Sequence, residues 1–133
     1  MSKFSSLKKN NFIFLLPVSW LIVSTILLTL PGTAFPKENW LDKIWFDKWV
    51  HIGMFTLMVF LWCLAMLKMD FAKAKLKKNF VVIAILCLLY GIGMEFVQKY
   101  FIPNRSFDTG DIIADAVGCL TGLLYSIRRY KKN

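Results

Sequence analysis

A small set of polar side chains stands within or beside the long apolar stretches of this 133-residue chain. They are Asp47, Lys48, His51, Glu95, Gln98, Arg105, Asp108, Asp111 and Asp115. Imidazole nitrogens and carboxylate oxygens are ligands for divalent cations such as Mg²⁺, Mn²⁺ and Zn²⁺. An arginine guanidinium can hold a carboxylate or a phosphate through two parallel hydrogen bonds. These residue types therefore predict a polar site for either anion binding or metal chemistry.

Helical spacing groups these residues on shared faces. Asp47 and His51 are four residues apart, and Gly91, Glu95 and Gln98 follow the same kind of spacing. The third group comprises Asp108, Asp111, Asp115, Gly118 and Gly122. Residues three or four apart lie on one face of a helix, and small residues let neighbouring helices approach closely. Because the third group is polar at one end and small below it, we expect its carboxylates to point into a helix bundle.

The elements that would position these residues are membrane-spanning helices. The chain is 57% hydrophobic with a mean hydropathy of +0.54, and its apolar residues form long blocks separated by short polar segments. About 20 apolar residues cover the roughly 30 Å hydrocarbon core of a bilayer. The sequence therefore predicts an all-α, four-helix transmembrane bundle in a single domain, residues 1–133. The predicted helices are about residues 12–30, 49–67, 80–97 and 111–128, with a Trp-rich interfacial segment at about residues 39–48.

The distribution of Lys and Arg predicts the orientation of this bundle. Of 17 such residues, 12 lie in the N-terminal tail, in residues 68–79 and in the C-terminal tail, whereas five lie in the other two loops. Because basic loops remain cytoplasmic, both termini are predicted to lie on the cytoplasmic side of the cell membrane. His51, Glu95 and Asp115 would then lie about one helical turn below the outer surface.

Other classes of protein fit the sequence less well. The net charge of +9 comes from residues beside apolar blocks, where membrane topology and contact with membrane lipids explain it better than nucleic acid does. The three cysteines lie in apolar blocks without CxxC spacing, which is typical of buried thiols. The first apolar block, followed by residues 32–34 (Gly-Thr-Ala), has some features of a cleavable signal peptide. Its length and Pro36 favour an uncleaved helix.

Several of the polar residues also have a purely structural explanation. Asp47, Asp108 and Asp111 could cap or charge the N-termini of the second and fourth helices. His51 could be a packing residue whose ring is satisfied within the bundle.

Glu95 and Asp115 are harder to explain by packing. A charged side chain costs roughly 2.5–3.5 kcal/mol at mid-bilayer, so we expect each carboxylate to be paired or used. Arg105 and Lys48 are the available cations, and Arg105 is the expected partner because of its forked geometry. Glu95, Asp115 and Arg105 could also form a structural ion network.

The pattern resembles the VanZ-like family, small bacterial membrane proteins named after a teicoplanin-resistance protein. The resemblance rests on Asp47-Lys48-x-x-His51, Glu95-x-x-Gln98, Arg105 and Asp111-x-x-x-Asp115-x-x-Gly118-x-x-x-Gly122. It covers about residues 47–122 and implies a membrane location, these site residues and a link to glycopeptide antibiotic resistance. The family supplies no defined reaction. Asp115 stands where the family usually has Asn, so the cluster here has an additional ionisable group.

One hypothesis is a binding function. Arg105 and Lys48, beside tryptophans at the outer interface, could hold the anionic headgroup of an envelope lipid or cell-wall precursor. The acids and His51 would order the cations and contact the rest of the headgroup.

The alternative is a membrane-embedded hydrolase acting on an envelope phospholipid. Its metal-ligand candidates are His51, Glu95, Asp111 and Asp115, and a bound cation could activate water against a phosphoester. His51 could instead act as a general base oriented by Asp47 or Glu95. No HExxH, nucleophile motif or phosphate loop accompanies these residues, which favours binding over catalysis. A third hypothesis is an accessory subunit of a larger envelope complex.

Overall fold

The computed structural model describes residues 12–35, 39–69 and 73–132, and its regular elements are all helical. The helices are α1 (Leu15–Thr29, after a 3₁₀ turn at Phe12–Phe14), α2 (Asn39–Lys43), α3 (Phe46–Leu67), α4 (Lys73–Phe101) and α5 (Thr109–Lys132). With the preceding turn included in α1, four helices are long and apolar enough to cross a membrane. This confirms the all-α, four-helix prediction. The N-terminal lysines and Lys37, used in the topology prediction, lie outside the described residues, as does Pro36, used in the prediction that the first helix is uncleaved.

Two of the helices extend well beyond the predicted spans. α4 begins at Lys73 rather than near residue 80, and α5 continues to Lys132 rather than ending near residue 128. An apolar block marks only the part of a helix that fits the hydrocarbon core. Lysine is itself a good helix former, and its long side chain can reach the headgroup region. The basic segments therefore continue the helices past the apolar blocks.

The Trp-rich segment lies at one end of the bundle and is divided between two helices. α2 ends at Lys43, Trp45 has a left-handed backbone (φ 53°), and α3 begins at the next residue. The Trp40, Trp45 and Trp49 side chains are 60%, 70% and 65% exposed. Exposed indoles at the end of a membrane bundle are typical of the headgroup region.

α3 packs against α1, α4 and α5. Two glycines of α5 lie directly on its backbone, because a Cβ added at Gly118 would lie 2.6 Å from Ile52 O and one added at Gly122 would lie 2.6 Å from Thr56 O. Thr56 Oγ1 also donates a hydrogen bond to Gly118 O (3.1 Å). This close approach brings the polar ends of α3 and α5 together.

Two long side chains attach α1 to the rest of the bundle. Trp20 Nε1 donates to Met54 O in α3 (3.1 Å), and Gln98 Nε2 donates to Leu28 O near the end of α1 (2.9 Å). Gln98 is 1% exposed. The C-terminal end of α1 is therefore fixed to the same end of the bundle as the polar cluster.

Apolar side chains fill the interior and also cover much of the outside. Phe55, Met58, Val59 and Phe80 are fully buried in the core. Cys63, Cys87 and Cys119 are buried free thiols, as predicted. Many leucines and isoleucines on α1 and α4 are exposed, as expected for surfaces that contact lipid chains.

Candidate functional site

The polar residues meet at one end of the bundle, where α3 and α5 begin and α4 ends. α3 contributes Asp47, Lys48 and His51 from its first two turns. α4 contributes Glu95 and Gln98 from its last turns, and α5 contributes Asp111 and Asp115. Arg105 and Asp108 lie in the connection between α4 and α5. Residues separated by up to 64 positions in sequence are thus in direct contact.

His51 is buried, with 6% of its surface exposed, and forms a short contact with a buried acid. His51 Nδ1 lies 2.7 Å from Asp115 Oδ1, so the ring N–H can donate to this carboxylate. The other ring nitrogen, Nε2, lies 3.7 Å from Asp111 Oδ2, which is too long for a hydrogen bond. The ring also stacks on Phe55, with centroids 6.4 Å apart. His51 therefore has a fixed orientation and one ring nitrogen directed toward an acid without bonding to it.

Lys48, rather than Arg105, is the cation that contacts the carboxylates. Its Nζ donates to Asp47 Oδ2 (2.9 Å), to Asp111 Oδ1 (2.6 Å) and to Asp108 Oδ2. This corrects the expected pairing of Arg105 with an acid. Lys48 is nearer because it lies on the first turn of α3, beside the start of α5. The acid that orients His51 is Asp115. The predicted orienting acids, Asp47 and Glu95, contact Lys48 and the Asp108 amide instead.

Asp108 has the geometry of a helix cap. It precedes α5, and its Oδ1 accepts a hydrogen bond from the Gly110 amide (2.7 Å). The hydrogen bond from Lys48 lowers the pKa of Asp108 below its ordinary value, and the bond from Gly110 acts in the same direction, against the opposing effect of burial. The Asp108 side chain is 45% exposed, unlike the carboxylates deeper in the cluster. The hydrogen bond to Gly110 thus supports the interpretation of Asp108 as a cap of α5.

Glu95 is 1% exposed and faces the beginning of α5. Its Oε2 accepts a hydrogen bond from the backbone amide of Asp108 (3.0 Å). His51, Glu95 and Asp111 can each offer one ligand atom to a metal ion, and these atoms all lie within 4.8 Å of one another. Asp115, the fourth predicted ligand candidate, contacts the ring of His51 instead.

A second acidic group, Asp47, Asp108 and Asp111, has similar spacing. The Lys48 ammonium contacts all three of these carboxylates. A cation is therefore already present among them, and the Lys48 ammonium occupies the position between these carboxylates.

Arg105 has no acidic partner in the part of the chain that the structure describes. Its guanidinium carbon lies 5.0 Å from the centre of the Phe35 ring, within the range of a cation–π contact. Its Nε is buried without a hydrogen-bond partner. Phe35 has no signal in the sequence, because it lies in the loop after α1 and belongs to no helical pattern.

A cleft of about 410 Å³ lies between these residues and the end of α1. Its lining is mixed. The polar residues include His51, Arg105, Asp108 and Asp111, and the apolar residues include Leu27, Leu28, Phe46, Val50 and Met54. The loops at its mouth touch each other, since the Gly32 amide donates to Pro103 O (3.2 Å) and Gly32 packs against the Asn104 carbonyl so closely that no side chain would fit. The cleft is thus suited to a molecule with one polar and one apolar part.

Comparison with known proteins gives a family and one distant relative. The VanZ/LLP1 family model matches residues 4–129, nearly the whole chain. An uncharacterized protein of Schizosaccharomyces pombe is 31% identical over 114 residues, which cover 84% of this chain and 60% of the yeast protein. The chain therefore spans less than two thirds of the length of this relative, which comes from a eukaryote. No solved structure matches the chain.

Proposed function

The chain belongs to the VanZ/LLP1 family, and we propose that its cleft binds the phosphate-bearing headgroup of an envelope lipid or lipid-linked cell-wall precursor. Arg105 carries this proposal. Its guanidinium stacks on Phe35, has no acidic partner among the described residues, and leaves a buried Nε without a hydrogen bond. Guanidinium groups bind phosphate through parallel hydrogen bonds. A phosphate oxygen at this position would satisfy the nitrogen that the protein itself leaves unpaired.

The apolar residues of the cleft support a lipid rather than a free phosphate. Leu27 and Leu28 from α1 and Val50 and Met54 from α3 line the cleft together with the charged residues. A lipid chain in contact with these apolar side chains would continue toward the exposed apolar surface of α1. The polar residues would hold the headgroup, with Arg105 on the phosphate and the acids available for hydroxyl or amino groups.

The distribution of basic residues supports an outer location for the cleft. Loops rich in Lys and Arg remain in the cytoplasm, and the connection that carries Arg105 is among the less basic ones. At the outer face of the cytoplasmic membrane the protein would meet cell-wall precursors. The link to glycopeptide resistance belongs to this proposal, because the family is named after a teicoplanin-resistance protein and teicoplanin acts at the outer surface of the membrane.

Hydrolysis of the bound lipid is the second candidate, and the orientation of His51 favours it. With Nδ1 held by Asp115, Nε2 is directed toward Asp111 at 3.7 Å, so it could accept a proton from water. With a phosphate monoester such as phosphatidic acid, water would attack phosphorus and the ester P–O bond would break. The proton taken by His51 would pass to the leaving oxygen, so that the products are the lipid alcohol and inorganic phosphate.

Native mass spectrometry of the detergent-solubilised protein with added phosphatidic acid tests both candidates. We expect Arg105→Ala to weaken lipid binding about tenfold or more, since a hydrogen bond to a charged group contributes roughly 1.5–3 kcal/mol. Arg129→Ala is the matched control, because Arg129 also stacks on a phenylalanine, Phe60, at 5.7 Å but lies near the far end of α5. A bound mass equal to that of the intact lipid indicates binding. The mass of the dephosphorylated lipid indicates hydrolysis, provided that this product is absent with His51→Ala. Equal losses of lipid affinity in the two arginine variants, or unchanged lipid affinity in Arg105→Ala, would contradict the proposal.

A further inference from the structure

Carboxylates at the polar end outnumber the cations that contact them in the described part of the chain. Asp47, Asp108 and Asp111 share the single ammonium of Lys48. Glu95 accepts only a backbone amide among its described hydrogen bonds, and Arg105 contacts no acid in the described residues. Burying an unbalanced carboxylate costs several kcal/mol on transfer scales. Among the described residues, Glu95 is 1% exposed and has no cation in contact, and Asp111 shares Lys48 with two other carboxylates.

Glu95 and Asp111 also belong to a set of possible ligand atoms. His51, Glu95 and Asp111 offer one ligand atom each within 4.8 Å of one another, and they come from three different helices. The imidazole is 6% exposed and has one nitrogen bound to Asp115. Its Nε2 makes no hydrogen bond with Asp111, the nearest acid at 3.7 Å. A ring nitrogen that makes no hydrogen bond among the described residues, on a histidine that lines the cleft beside Glu95 and Asp111, is available to bind a metal ion.

We propose that His51, Glu95 and Asp111 bind one divalent transition-metal ion at the base of the cleft. One imidazole nitrogen and two carboxylate oxygens suit Mn²⁺ or Zn²⁺ better than Ca²⁺, which prefers oxygen ligands alone. Three protein ligands leave coordination positions open on the side of the cleft, which both His51 and Asp111 line. Asp115 fixes the proton of His51 on Nδ1 and so leaves Nε2 for the metal. This site does not depend on lipid binding.

Manganese binding to the full chain in detergent, after removal of metals with EDTA, tests the proposal. Electron paramagnetic resonance of free Mn²⁺ should show one ion bound per chain. We expect Glu95→Gln, which keeps an acceptor for the Asp108 amide, to weaken binding at least tenfold. Asp42→Asn is the matched control, because it removes an acid that also lines the cleft but lies outside the three ligands. Thermal unfolding of each variant verifies that it is folded.

A readout on the unmodified chain covers the case in which Glu95→Gln does not fold. His51 is the only histidine, so bound Mn²⁺ should broaden the ¹⁵N-histidine signals in an NMR spectrum. Three results would each overturn the proposal. They are the absence of a one-to-one site below millimolar Mn²⁺, equal losses of Mn²⁺ affinity in Glu95→Gln and Asp42→Asn, and His51 signals that Mn²⁺ does not broaden. Loss of binding in Asp47→Asn but not in Glu95→Gln would move the ion to the exposed acidic group and also overturn it. Arg105→Ala should lose lipid phosphate and keep Mn²⁺, which separates failure of this site from failure of the lipid proposal.

Discussion

His51 has two ring nitrogens in different surroundings, and Asp115 creates the difference. Nδ1 lies 2.7 Å from Asp115 Oδ1. Nε2 makes no hydrogen bond among the described residues, and the Asp111 carboxylate lies 3.7 Å from it. A carboxylate can only accept a hydrogen bond, so the proton of the neutral ring belongs on Nδ1. The same contact explains how Asp115 can be tolerated at 1% exposure inside a membrane helix.

Substitutions of Asp115 separate its hydrogen bond from its charge. Asp115→Asn should keep the Nδ1–H form because the amide oxygen still accepts. Asp115→Leu should lose it and shift the neutral ring toward the Nε2–H form. ¹⁵N-histidine NMR reads the two forms directly, since the chain contains one histidine. An unchanged spectrum in Asp115→Leu would show that the contact does not hold the ring.

The residue types of the site are visible in the sequence, but their pairing is not. The spacing of Asp111, Asp115 and Gly118 places them on one face and is enough to direct the acids inward. The choice between Lys48 and Arg105 as the partner depends on the path of residues 102–108, where Asn104 has a left-handed backbone (φ 57°). No periodic pattern covers that connection, and Phe35, which lies under the guanidinium, belongs to another loop. The sequence therefore does not predict the contact between these two irregular segments, residues 102–108 and the loop that contains Phe35.

At the scale of the helices, the contact between α3 and α5 positions the site. Gly118 and Gly122 let the two backbones meet, so that residues near the start of α5 reach His51 and Lys48. Apolar length predicts that these helices exist, and small residues indicate the face that packs. Helix ends are less predictable, because Lys73 and Lys132 extend helices beyond the hydrocarbon core, where hydropathy carries no signal.

A glycine pair tests the role of this close contact. Gly122→Ala would place a Cβ 2.6 Å from Thr56 O and 3.0 Å from Val59 Cβ, so the helices would have to separate. We expect the free energy of unfolding to fall by about 1–3 kcal/mol, as for overpacked cores. The midpoint of thermal unfolding should be lower accordingly. Gly53→Ala is the matched control, because nothing lies within 4 Å of its added Cβ and alanine favours helices by up to about 1 kcal/mol. If both substitutions stabilise the protein, the packing explanation is wrong.

At the scale of the whole molecule, the residues of the candidate site lie together at one end of the bundle. Lys48, His51, Glu95 and Asp111 lie beside the two less basic connections, whereas the lysines and arginines of α5 cluster in its last turns. An amphipathic cleft at one membrane face and a basic opposite face fit a protein that receives lipid headgroups from one side. The family match supports the membrane fold, and the orientation rests on the distribution of charge.

Labelling of single cysteines determines which way the bundle faces. Ser106 is exposed in the connection that carries Arg105, and Lys131 is exposed at the far end of α5. Ser106→Cys should react with a membrane-impermeant maleimide in intact cells, and Lys131→Cys only after the membrane is permeabilised. The three native cysteines are buried, so the unmodified chain serves as the background control. The predicted cytoplasmic end carries 12 Lys and Arg residues and the other end five. The loss of Lys131 should therefore not reverse the orientation of the chain in the membrane. The opposite labelling pattern would place the cleft in the cytoplasm, and the headgroups available to it would then be those of inner-leaflet lipids.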